Sequence, residues 1–174
     1  MDRKSENYGF GNTHLLLNQL LHDAGYASMV GRFMKAMDQL PIPGELHTPV
    51  HALDLAYKLV NEEVNEEFMP ALRRFSDSQS AENAAELLDA IADSIYVLLW
   101  TGLRLNLPVH EAFLAVQRAN MAKLGPEGKP IKNPETGKVM KPEGWKPPDI
   151  LALVIEHREK LRGVEYKGGF RNGA

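Results

Sequence analysis

The stretch Glu86-Leu87-Leu88-Asp89-Ala90-Ile91-Ala92-Asp93-Ser94-Ile95-Tyr96-Val97-Leu98-Leu99-Trp100-Thr101-Gly102-Leu103-Arg104 decides how the chain is read. From Leu87 to Leu103, 12 of 17 residues are Ala, Val, Ile, Leu, Tyr or Trp. They surround most of a helix circumference, as expected of a central helix in a bundle. Asp89 and Asp93 interrupt the run, which argues against a membrane span. At about 100° per residue they join Glu86 on a strip about 60° wide, so the three side chains can converge. Buried carboxylates are costly unless paired or bound to a cation, and the next base on this helix is Arg104. Either an Arg from another helix neutralises these acids, or a cation does.

Upstream lies a second acidic run, Asn61-Glu62-Glu63-Val64-Asn65-Glu66-Glu67. Read as an α-helix, it stacks Glu62 on Glu66 four residues apart and Glu63 on Glu66 three apart, at a repulsive cost. A solvated face explains an acidic run taken alone. Two details point elsewhere: Glu63 continues the apolar stripe of Leu59 and Val60, and only Lys58 stands at i,i+4 spacing, to Glu62. If Glu63 and Glu66 face Glu86 and Asp89 across two antiparallel helices, four oxygen donors meet in one cavity. Such a donor set suits a hard cation, Mg²⁺ or Mn²⁺.

The rest of the chain is helical in pattern. Asn12 and Thr13 can cap a segment bearing Leu16, Leu17, Leu20 and Leu21 that ends at Gly25. Tyr26, Val30, Phe33 and Met37 recur at amphipathic spacing up to Pro41, Pro43 and Gly44. The stretch from Pro49 to Phe75 turns Leu55, Leu59 and Val60 inward and is expected to kink or break at Pro70. After a short connection at 77–80, the central helix runs from about Ala81 to Leu105. Pro108 opens another helix, with Val109, Phe113 and Val116 on one face and Gly125 at its end. That face turns polar at Asn120 and Lys123, which suits either an ordinary helix C-terminus or amide and ammonium donors for a polyphosphate. Residues 126–147 read as a small hairpin-like loop, with Lys129–Ile131 facing Lys138–Met140. A last helix over 148–161 carries Ile150, Leu151, Val154 and Leu161, and a loose tail is expected over 163–174.

The 174 residues, 44% hydrophobic, suffice for one domain with an ordinary core, here an all-α, four-helix-bundle-like one with extra terminal helices. Lys and Arg number 20 against 23 Asp and Glu, a net charge of −3, which supplies no global field for nucleic acid or an anionic membrane. The absence of cysteine excludes disulfides, thiolate metal sites and a Cys nucleophile. The polar start of the chain reads as no secretion signal, so the expected compartment is the cytoplasm.

Glu62-Glu63-Val64-Asn65-Glu66 followed by Glu86-Leu87-Leu88-Asp89 resembles the EExxE and ExxD signature of the all-alpha nucleoside triphosphate pyrophosphohydrolases. Asp89-Ala90-Ile91-Ala92-Asp93, Asn120-Met121-Ala122-Lys123-Leu124-Gly125, Gly128-Lys129-Pro130 and Gly144-Trp145-Lys146-Pro147-Pro148-Asp149 are similar to the MazG-like or phosphoribosyl-ATP pyrophosphohydrolase-like branch. So is Phe33-Met34-Lys35-Ala36-Met37 ahead of Leu40-Pro41, and the likeness spans roughly residues 30–155. The resemblance implies that Glu63, Glu66, Glu86 and Asp89 hold Mg²⁺ and that Glu62 orients or deprotonates water. It further implies that Asn120 and Lys123, with Lys146 from the loop, contact a triphosphate, and that Asp93 lies near the metals or the sugar. The implied reaction hydrolyses a (deoxy)nucleoside triphosphate between its alpha and beta phosphates, to a monophosphate and pyrophosphate, in nucleotide-pool house-cleaning. A homodimer or dimer of dimers is expected on the same ground and from the all-round apolar central helix. Asp38, Gln39, Tyr57 and Trp145 are candidates for base contacts, equally open to structural roles. The alternatives are phosphoribosyl-ATP as substrate and a non-enzymatic helical adaptor with an acidic surface. A redox di-iron bundle is disfavoured, because no Glu has a His three residues later.

Overall fold

The computed structural model describes residues 25–42, 48–125 and 127–165, without the side chains of 163–165. The expected helix carrying Leu16 to Leu21 and the stop at Pro43 and Gly44 lie outside the described residues, as does the expected tail from 166, while its first residues, 163–165, are helical. The described chain is all-α: Tyr26–Ala36 (α1), Val50–Val60 (α2), a π-helix over Asn61–Phe68, Met69–Asp77 (α3), Ala81–Arg104 (α4), Val109–Met121 (α5) and Ile150–Glu165 (α6). No described helix is long and apolar enough to cross a membrane. One compact unit takes the chain up to Leu107 and again from Arg158; the other is Pro108–His157. Asn106, in the left-handed region at φ 52°, closes α4 ahead of Pro108.

In the first unit α4 is the axis, packing against α1, α2, the π-helix and α3. Its start is set by Ser80, whose hydroxyl accepts from the Asn83 amide at 3.2 Å. The Asn83 side chain in turn donates to the carbonyls of Arg74 and Ser78, closing the turn from α3. Links from Arg74 to Glu86 and from Ser94 to Glu63 show the two rods running antiparallel, since one number rises as the other falls. Phe33 against Tyr96, Gln39 against Trp100 and the Leu40 carbonyl against Arg104 show α1 running parallel to α4.

Pro70 does not break the rod. The residues at both junctions, Val60, Asn61, Phe68 and Met69, keep right-handed helical dihedrals, so Val50–Asp77 is continuous. Proline has no amide hydrogen and its ring crowds the carbonyl four residues back. The widened π turn immediately upstream, with its i→i+5 bonds, accommodates the missing donor without a break.

Among the described residues, one core cluster joins Val30, Met34, Ala56 and Trp100, with Leu40, Leu59, Leu99 and Leu103 packed on it. The inner face of α1 is therefore Val30–Met34, and the stripe read from the sequence is corrected, since Tyr26, Phe33 and Met37 are exposed. On α2 the inward positions are Ala52 and Ala56, four apart, while Leu55 is exposed. Small residues let the rod approach α4 closely, as do Ala71 and Ala90 further along. Trp100 donates from Nε1 to Gln39 Oε1 at 3.0 Å, so its ring is buried with its polar atom satisfied. This gives Gln39 a structural role.

In the second unit no residue of α5 is buried, and Phe113 and Val116 of the expected inner stripe are exposed. The loop forms two antiparallel bridges, Leu124 with Pro130 and Lys132 with Val139, in place of full strands. The Asn133 side chain accepts from the amides of Glu135 and Thr136, and Gly137 takes φ 68°, which together make the reversal expected there.

Met34 is fully enclosed, so Met34→Ala should cost about 2–5 kcal/mol in chemical denaturation, whereas Met37→Ala, on the exposed side of the same helix, should cost a small fraction of that.

Candidate active site: a carboxylate-lined cavity

The π-helix and α4 bring Glu62, Glu63, Glu67, Glu86, Asp89 and Asp93 to the wall of one open cavity of about 540 Å³, which Ala71, Ala90 and Arg74 complete. Each acid is there for a local reason. Glu86, Asp89 and Asp93 follow the three-and-four spacing of an ordinary α-helix, as the sequence pattern requires. Glu62 and Glu67 are five apart and share a face because the turn between them is π-helical.

The widened turn also corrects the α-helical stacking of Glu66 on Glu62 and Glu63. Glu66 is not on the cavity wall; its Oε1 accepts from Asn61 Nδ2 at 2.6 Å, an i,i+5 link, and Asn65 donates back to Asn61 at 3.0 Å. Glu67, four residues after Glu63, stands on the wall, a residue to which sequence reasoning gave no role. The overlooked signal was Pro70, whose missing donor disfavours regular α-helix in the preceding turn.

Glu63 is the half-buried acid at the centre, while the other wall acids are exposed. Burial, then the carboxylates of Asp93, Glu62, Glu67 and Asp89, push its carboxyl above the ordinary glutamate range. The position of Glu63 is held through its backbone: Ser94, buried on α4, donates to its carbonyl at 3.3 Å. One base serves the cluster. Arg74 Nε meets Glu86 Oε2 at 2.8 Å, with both side chains about half exposed, a pair worth at most about 1 kcal/mol. The salt-bridging Arg weighed from sequence therefore exists, but it pairs with one acid of six.

All six donors are carboxylate oxygens, the chemistry of a Mg²⁺ or Mn²⁺ site. As the side chains stand, no group of three or more His, Asp or Glu among the described residues is close enough to hold a metal ion. Five of the six wall acids are exposed, and one of these, Glu86, is paired with Arg74.

Asn120, Lys123 and Lys146 belong to the second unit. Lys123 Nζ donates to Asn120 Oδ1 at 2.8 Å, so these two are brought together. Lys146 lines a separate shallow hollow of about 370 Å³ with Arg118 and Asp149. Of the candidates for base contacts, Tyr57 is exposed, and Trp145 is anchored by its Nε1 to the Ala119 carbonyl at 2.8 Å. No protein-family model matches the chain, and no curated protein matches it.

Folding penalises the charged form of Glu63. The penalty is absent in acid, where the carboxyl is protonated in both folded and unfolded states, and is complete once pH exceeds the raised folded-state value. In the presence of a chelator, Glu63→Gln should therefore raise Tm at about pH 7, and the gain should vanish towards about pH 4, as followed by thermal melts.

Proposed function

We propose that the chain is a Mg²⁺-dependent nucleoside triphosphate pyrophosphohydrolase of the all-alpha type, MazG-like in its motifs. It would convert a (deoxy)nucleoside triphosphate to the monophosphate and pyrophosphate, clearing surplus or noncanonical nucleotides in the cytoplasm. The observation that carries this reading is the meeting of six carboxylates from two antiparallel helices around half-buried Glu63. Without a counterion such a cluster repels itself, and Arg74 offsets only part of the charge. The π-helical turn at the cavity adds support, since such turns are irregularities found frequently at functional sites.

Glu63, Glu86 and Asp89 would hold Mg²⁺, with Glu66 on the strength of the motif and Glu67 on the strength of the cavity wall. Bound Mg²⁺ supplies a lowered pKa for the attacking water and neutralises charge on the leaving pyrophosphate. Glu62, exposed at the wall, accepts the proton that the water loses as the alpha–beta anhydride bond is hydrolysed. Glu86, now paired with Arg74, would be one of the residues to hold the cation, and the Arg74 guanidinium on the same cavity wall would complement phosphate oxygens. Asp93 stands on the wall one helical turn beyond Asp89, where it serves the metal ion or the sugar. On the strength of the motif alone, Asn120 and Lys123 would contribute amide and ammonium contacts to the triphosphate, and Lys146 a further cation.

Assembly as a homodimer or dimer of dimers belongs to the same proposal. Leu88, Ile91, Ile95 and Leu98 recur on α4 at three-and-four spacing and are all exposed, a continuous apolar stripe of the kind that packs against a partner helix. The Arg74–Glu86 pair favours the second reading, in which the acids form a partner surface without catalysis.

A screen of nucleoside triphosphates with millimolar Mg²⁺ should release pyrophosphate, and Glu63→Ala or Asp89→Ala should reduce release to background; turnover unimpaired in both would reject the proposal. The same assay on Glu66→Gln and Glu67→Gln, followed as the Mg²⁺ concentration for half-maximal release, decides between motif register and cavity wall. Leu88→Glu combined with Leu98→Glu should convert the assembly to monomer in size-exclusion chromatography.

A further inference from the structure

The second unit holds an arrangement that the carboxylate site does not explain. Pro142-Glu143-Gly144-Trp145 is a tight turn, closed by the Trp145 amide donating to the Pro142 carbonyl at 3.1 Å. Gly144 supplies the φ of 78° that such a turn needs at its third position. The reversal returns Lys141 over the indole, with Nζ 4.1 Å from the ring centroid. Lys123, from the end of α5, reaches the same ring with Nζ 5.6 Å from its centroid. The ring itself is fixed by the bond from Nε1 to the Ala119 carbonyl.

Two ammonium groups are thereby gathered on one indole against their mutual repulsion. Lys123 is half-buried, and its hydrogen-bond partner is the neutral Asn120 amide. Among the described residues neither Lys123 nor Lys141 forms an ion pair, although Glu127 is taken by Lys129 and Glu143 lies within the turn. The aromatic face attracts both cations without neutralising either, as a carboxylate would. Positive charge held at fixed positions and left uncompensated is the chemistry that recognises an anion with several negatively charged oxygens.

We infer that Trp145 is a positioning residue, whose indole holds both Lys123 and Lys141 as a two-cation cradle for a polyphosphate chain. This deepens the proposed phosphate contact at Lys123 and rests on that reading. Trp145 acts through the two ammonium groups and is not a catalytic residue. Lys141 is added to the phosphate-binding set.

The test uses the full chain and inorganic tripolyphosphate at low salt with a chelator, followed by calorimetry and by indole emission. Wild type should bind, with a change in emission that Trp145→Phe abolishes and that buried Trp100 does not replace. Trp145→Phe keeps a ring face but loses the anchoring N–H, and should retain most of the affinity. Trp145→Ala, Lys123→Ala and Lys141→Ala should each weaken binding about tenfold. Wild type that fails to bind, an emission signal unaffected by Lys123→Ala and Lys141→Ala, or Trp145→Phe as impaired as Trp145→Ala would overturn the inference. If Trp145→Ala does not fold, the emission titrations of wild type, Lys123→Ala and Lys141→Ala decide alone. Pyrophosphate release by wild type with tripolyphosphate affinity unaltered in the lysine variants rejects the cradle and leaves the pyrophosphohydrolase reading standing. Affinity lost in those variants without release of pyrophosphate from any nucleotide does the reverse.

Discussion

Pro70 has no amide hydrogen to give to a carbonyl one helical turn back, and the structure around the acidic cavity follows from how the chain accommodates that loss. The rod Val50–Asp77 stays continuous by widening into eight residues of π-helix just before the proline. A wider turn rotates every side chain after it relative to an ideal α-helix. Glu67 thus takes a place on the cavity wall, and Glu66 is left to hydrogen-bond with Asn61. A π turn is less favourable than an α turn, so tertiary contacts must hold it. Ser94 supplies one of them across the seam by donating to the Glu63 carbonyl, and buried Ala71 and Ala90 allow the two rods to approach.

The same seam explains the electrostatics. Antiparallel packing of the rod on α4 places acids from each on opposite walls, where desolvation and four neighbouring carboxylates act together on Glu63. One exposed Arg–Glu pair does not balance six acids in an open cavity. An arrangement that costs stability in the isolated chain and is relieved by a cation is the physical content of the proposed Mg²⁺ site. In the other unit, Lys123 and Lys141 both lie against the Trp145 ring.

Much of the fold was legible because it rests on local rules. The span of α4, its Ser80 start, and the Asx-stabilised reversal at Asn133 all follow from short-range pattern and capping. Glu86, Asp89 and Asp93 were legible as one strip because α4 is a regular helix. The inner face of α1 was legible only at Val30, because Tyr26, Phe33 and Met37 fit the same period, and the choice of Met34 over them depends on where Trp100 and Ala56 sit.

By itself the sequence determined that the chain is helical, that three acids share one side of its central helix, and that a second acidic run precedes it. Those properties depend on neighbours within a turn or two. Only the tertiary structure decided which glutamates of the second run meet the first, because that depends on a π-helical register held by contacts between residues about thirty positions apart. It also decided that Lys141 and Lys123 share one indole, since ring and ammonium groups are brought together by a turn and a helix end whose spacing no sequence period encodes.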